Sequence, residues 1–103
     1  MICVIIESPY AGEVAENAHY LWDCLRDSFK RGEAPFASHG IYPSVLNDHD
    51  PEERKMGLLA GYAWWPAAER IIFYTDRGWS EGMKAALARA VAIGKPFETR
   101  SIR

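Results

Sequence analysis

The first six residues, Met-Ile-Cys-Val-Ile-Ile, are an apolar run with no alternation. A strand with one solvated face alternates apolar and polar residues, so this run belongs to a strand covered on both faces, as in a parallel sheet between helices. It is expected at the centre of the sheet. A loop over Glu7 to Gly12 follows, carrying Pro9. Residues Glu13 to Lys30 then place Val14, Ala18, Leu21, Leu25 and Phe29 at helical spacing, ended by Arg31-Gly32. That stripe is expected to pack on the sheet.

The chain continues to alternate strand and helix. Ala34 to Ser38 reads as a short second strand with Pro35 at its start, and His39 to Asp48 as a long loop. Asp50-Pro51-Glu52-Glu53 is a helix start, with Asp50 as N-cap, Pro51 at the first helical position and Glu53 spaced to close a capping box. This second helix is expected to reach about Trp65. Its Gly57 and Gly61 share one face although each costs roughly 1 kcal/mol relative to Ala; they mark either close packing on the sheet or close approach of a backbone or ligand. Glu69 to Tyr74 is the third strand, Ser80 to Ile93 the third helix, and Phe97 to Ile102 the last strand after the stop Gly94-Lys95-Pro96. The order predicts a single α/β domain over 1–103. Its three layers are a small parallel sheet of four or five strands and helices on both faces, flavodoxin-like or Rossmann-like.

Composition removes several function classes. With a net charge of -2 and no cluster of Lys and Arg, the electrostatic footprint of a nucleic-acid binder is missing. No apolar run approaches the ~20 residues of a membrane span and no basic-flanked leader is present, so a cytoplasmic location without membrane partners is expected. Cys3 and Cys24 lack metal-type spacing and are expected as inert, buried core thiols. No cofactor or metal is expected. His39 has no His or Cys partner at ligand spacing, and neither a Gly-x-Gly-x-x-Gly after the first strand nor a Gly-Lys-Ser/Thr loop occurs.

In an open parallel sheet, ligands bind outside the carboxyl ends of the strands and beside helix N-termini. Those positions carry Ser8, Tyr10 and Gly12 after the first strand, His39 after the second, and Asp76, Trp79, Ser80, Gly82 and Met83 after the third. Ser80 either caps its own helix or shares its hydroxyl and the first amides of the helix with a phosphate. Tyr10 and Trp79 either stack on a base or fold back on the core. His39 is either a structural hydrogen-bonder or a ligand contact. Four Trp and five Tyr are hard to bury in so small a domain, and Trp64-Trp65 in particular suggests a homo-oligomer, dimer or higher.

Four segments carry a resemblance to a known group. They are Ser8-Pro9-Tyr10-x-Gly12, Ala37-Ser38-His39, Asp48-x-Asp50-Pro51-Glu52-Glu53-Arg54-x-x-Gly57 and Trp79-Ser80-x-Gly82-Met83. In this order the chain resembles the small nucleoside 2-deoxyribosyltransferase-like proteins, including short versions frequent in bacteriophage genomes. The resemblance implies a nucleoside or nucleotide ligand and a pocket completed across a dimer interface. In active members of that group a Glu four residues after the Gly of the third-helix motif attacks the anomeric carbon of the sugar. The corresponding position here is Ala86, whose methyl group forms no glycosyl ester.

The leading expectation is therefore non-catalytic binding of a nucleotide or nucleoside. If the chain is phage-encoded, this would be sequestration of a nucleotide metabolite or immune signal in the host cytoplasm. The alternatives are an N-glycosidic hydrolase or transferase using Asp76 and Glu81 as its acids, and a protein-interaction module using exposed Trp.

Overall fold

Four strands, β1 (Ile2–Glu7), β2 (Glu33–Phe36), β3 (Arg70–Tyr74) and β4 (Phe97–Arg100), pair in parallel in the order β2-β1-β3-β4. The computed structural model describes all residues, 1–103. Three helices connect the strands: α1 (Val14–Lys30), α2 (Pro51–Ala63) and α3 (Glu81–Ile93). The fold is the small Rossmann-like α/β layer expected, with β1 inside the sheet. The segment after β2 is not a plain loop, because it winds into two 3-10 turns, Ser38–Gly40 and Tyr42–Ser44. The second helix ends at Ala63, and a separate 3-10 turn, Trp65–Ala67, leads into β3.

Alternation of side chains along each strand splits the core in two, which is why β1 shows no polar face. On one side Val4, Ile6, Ile72 and Tyr74 meet Tyr20, Leu21 and Cys24 of α1. On the other, Ile5, Ile71 and Phe73 meet Met83, Ala86 and Ala90 of α3 together with Trp65 and Ala68.

The inward face of α1 differs from the expected stripe. Leu21 is buried and Leu25 packs at its edge, but Val14 and Phe29 are exposed, and the buried positions are Asn17, Tyr20, Leu21, Cys24 and Ser28. The polar members lie inside because each finds a partner. Asn17 Nδ2 donates to the carbonyls of Tyr10 and Ala11 at 3.1 Å, and Ser28 Oγ donates to Glu33 at 2.7 Å. Cys3 is also corrected: it is exposed, at the amino end of β1 before the first residue paired with β3. Cys24 is buried, and burial pushes its thiol up to about 12.

The caps show how the helices begin. Ser80 Oγ accepts from the Met83 N–H at 3.2 Å, opening α3 as expected. At α2, Asp50 accepts from Glu52 N–H at 3.0 Å, but the capping box does not close. The Asp50 N–H is already given to the Asn47 carbonyl, so Glu53 reaches back further and accepts from the Asn47 N–H at 2.7 Å. No helix is long and apolar enough to cross a membrane.

Candidate functional site

From β1 the chain first moves to one side, to β2, and then returns to build β3 and β4 on the other side. The carboxyl ends of β1 and β3 therefore flank the switch point, where helices leave in opposite directions and a crevice opens. A cavity of about 450 Å³ lies there, within the range of small-molecule sites. Its floor is the end of β1, Glu7 and Ser8; one wall is Tyr10 to Gly12, another is Ser38, His39 and Tyr42, and a third is Arg54, Gly57, Leu58, Gly61 and Tyr62 of α2. The first turn of α3, Ser80 to Met83, closes the remaining side.

Of the residues chosen from sequence, Ser8, Tyr10, Gly12, His39, Ser80, Gly82 and Met83 are brought together on this cavity, and Glu81 joins them. Gly12 takes φ +90, a backbone state that L side chains rarely adopt. Ser8 Oγ and His39 Nε2 are hydrogen bonded at 2.8 Å. Burial holds the His39 imidazole at about 4, so the ring is neutral at physiological pH. Glu81 is at the rim, its side chain largely in solvent and 3.4 Å from Lys84.

Asp76 and Trp79 are the exceptions, since neither lines the cavity. Trp79 folds back and packs on Phe73, ring centroids 5.1 Å apart, which is the core alternative weighed for it. Asp76 is consumed by structure: its carboxylate accepts from Tyr20 Oη, Ser101 Oγ and the N–H groups of Ile102 and Arg103. Burial raises its pKa, but these hydrogen bonds outweigh burial and hold it at about 2. Ala86 faces the core, 1% exposed, and does not reach the cavity.

The two glycines of α2 admit the segment after β2. A Cβ on Gly61 would lie 2.7 Å from Ser38 Oγ, and one on Gly57 would lie 3.3 Å from Leu46 Cδ1. The close packing is thus on the segment after β2 rather than on the sheet, and the two glycines also line the cavity.

Glu7 was not among the sequence candidates. It keeps partial exposure and lines the cavity, yet its carboxyl is closely surrounded by protein, and desolvation alone pushes it up to about 8. The signal for it was an acid directly continuing an apolar strand. Tyr42, Arg54 and Tyr62 also escaped, because they come from segments read as loop and as sheet-packing helix.

The family model described as a domain of unknown function, DUF7768, matches residues 2–100. The chain belongs to this family. The DUF7768 span includes every cavity residue, so the site is part of the family domain rather than an addition to it. No match was found among curated proteins or among solved structures. No group of three or more His, Cys, Asp or Glu side chains is arranged to hold a metal ion.

Proposed function

We propose that the protein binds a nucleoside or nucleotide in the switch-point cavity and releases it chemically unchanged. The observation that carries this reading is the convergence of the strand-end residues, Ser8, Tyr10, His39 and Ser80 among them, on one cavity of about 450 Å³. Tyr10, Tyr42 and Tyr62 supply aromatic surface to the walls, and stacking contributes about 1 to 3 kcal/mol per base. The first turn of α3 adds backbone N–H groups with no helical acceptor, a favourable place for a phosphate.

The absence of turnover in this reading rests on the acids. Ala86 stands in the core, and Asp76 is saturated by four donor groups, so the pair Asp76 and Glu81 is not available as two catalytic carboxylates over one ligand. Tight binding without turnover amounts to sequestration, the role expected above if the chain is phage-encoded. The same reading includes self-association, for which Met56 and Leu59 of α2 and the neighbouring Trp64 offer exposed apolar surface. Calorimetry against nucleosides, mononucleotides, cyclic nucleotides and ADP-ribose-type nucleotides tests the binding, followed by chromatography for free base. Binding with no base release is expected. A silent panel would leave the interaction-module alternative in its place.

A further inference from the structure

Two acids of the chain contrast: Glu33 is buried, whereas Glu7 keeps partial exposure on the cavity. Glu33 is saturated: Arg100 donates to both of its oxygens at 2.6 and 2.7 Å, and Ser28 adds a third hydrogen bond. Glu7 has no hydrogen bond and no ion pair, and burial is the sole cause acting on its titration. An ionised carboxylate enclosed without a partner is strongly disfavoured, so the group stands protonated at neutral pH. Its O–H and C=O have no partner in the protein and open on the cavity, where a ligand can take both.

The surroundings of Glu7 leave this role to a ligand. Tyr62 of α2 lines the same cavity, its pKa raised by burial first and by the Glu7 charge second, and the Arg89 guanidinium lies 4.4 Å from its ring centroid. His39, Arg54, Asp48 and Glu81 face the same cavity from the other walls, and none pairs with Glu7. A protonated carboxyl is also a poor nucleophile, so its position suits recognition rather than attack on a sugar.

We propose that the Glu7 carboxyl selects the ligand, pairing through its O–H donor and C=O acceptor with an uncharged edge that carries one acceptor beside one donor. Cis-amide and amidine edges have this pattern, and they occur on uracil, hypoxanthine, cytosine, adenine and guanine, of which guanine alone adds a donor-only edge that an ionised carboxylate would take. The ligand enters with that edge inward and leaves any charged group at the rim, by the first turn of α3 and Arg54. This inference rests on the reading of the cavity as a nucleoside or nucleotide site.

The test is calorimetric titration of AMP, CMP, UMP, IMP and GMP into wild type, Glu7→Ala and Glu7→Gln at pH 6.5 and pH 9, with circular dichroism to confirm folding. A group titrating at about 8 is largely ionised at pH 9, so wild-type affinity for AMP or CMP, whose bases do not titrate in this window, is expected to fall about tenfold between the two conditions. Glu7→Ala is expected to lose about tenfold or more at pH 6.5. Glu7→Gln keeps one donor and one acceptor but cannot ionise, so it should rescue that loss and abolish the wild-type excess in pH response. Binding in Glu7→Ala equal to wild type overturns the proposal and leaves nucleotide binding standing. So does a preference for GMP that tightens at pH 9, the signature of a carboxylate on a donor-only edge. A wild type silent toward all five overturns the proposal together with the reading beneath it.

Discussion

Tyr20 and Asp76, far apart in the chain, exchange two hydrogen bonds: Tyr20 Oη donates to the Asp76 carboxylate at 2.5 Å, and the Asp76 N–H donates to the same hydroxyl at 2.9 Å. This pair fastens α1 to the turn after β3. Through Ser101, Ile102 and Arg103 the same carboxylate also fastens the segment after β4.

Acid should therefore loosen the fold through Asp76. Its folded pKa, about 2, lies below the ordinary 3.8, so the unfolded chain binds more protons in this window and stability falls as pH drops from about 4 to about 2. Asp27 and Glu33 are also held below their ordinary values and act with the same sign. Asp76→Asn should be less stable at pH 7 by on the order of 2 kcal/mol and should lose part of the acid dependence, read from thermal melts between pH 2 and pH 5. An acid profile identical to wild type would show that Asp76 is not the fastener.

The Glu33 and Arg100 pair predicts a different pattern. It joins the two edge strands, with both side chains nearly inaccessible, and the Arg100 Nε finds no partner. Glu33→Gln leaves Arg100 with Glu98, at 2.7 Å, as its one carboxylate partner and should cost about 1 to 3 kcal/mol. The double variant Glu33→Leu with Arg100→Met removes both charges and should lie closer to wild type in urea midpoint than either single variant.

Glu7 acts on stability with the opposite sign to Asp76. Its folded pKa, about 8, lies above the ordinary 4.5, so the unfolded chain releases its proton first and stability falls as pH rises between those values. Glu7→Gln should gain on wild type progressively across that interval, and the gap should level off above about pH 8. A gap that stays constant with pH would show that the Glu7 carboxyl titrates alike in the folded and unfolded chain.

Ser80 separates capping from anion binding. Asp caps a helix as well as Ser does, so Ser80→Asp should leave the melting temperature within a few degrees of wild type. It sets a carboxylate where a phosphate would lie, so nucleotide affinity should drop at least about tenfold while nucleoside affinity stays level. Equal losses for both ligand types would mean that no phosphate approaches this turn.

A carboxylate placed at position 86 should not create an enzyme. Ala86 is buried among Ile5, Trp65 and Ala90, so Ala86→Glu places an acid in apolar packing and should destabilise by several kcal/mol. Soluble expression and thermal melting read this directly.

The order of elements was legible because apolar runs, glycine stops and the Asp50-Pro51 start are local signals that tertiary packing did not override. The face of α1 was not, since Asn17, Tyr20 and Ser28 look solvent-facing until their partners on other elements are known. The same limit applied at the site. Sequence placed Asp76 and Trp79 on the correct turn, but which way a side chain leaves a turn depends on what lies beside it: Tyr20 for the one and Phe73 for the other. The chemistry of Glu7 was not legible because it comes from what surrounds the carboxyl, and the other walls of its cavity come from distant parts of the chain.

The packing of Gly61 against Ser38 has a consequence for how this site can vary. The turn that carries His39 rests almost on the backbone of α2, held there by one missing methyl group. An Ala at position 61 would press on Ser38 and, through its turn, on the neighbouring imidazole, reshaping the mouth while leaving the chemical identity of every polar group on the cavity unchanged. The aperture of the site is thus tunable from a wall residue that carries no functional group of its own, and a relative could admit a guest of different bulk by a single substitution there.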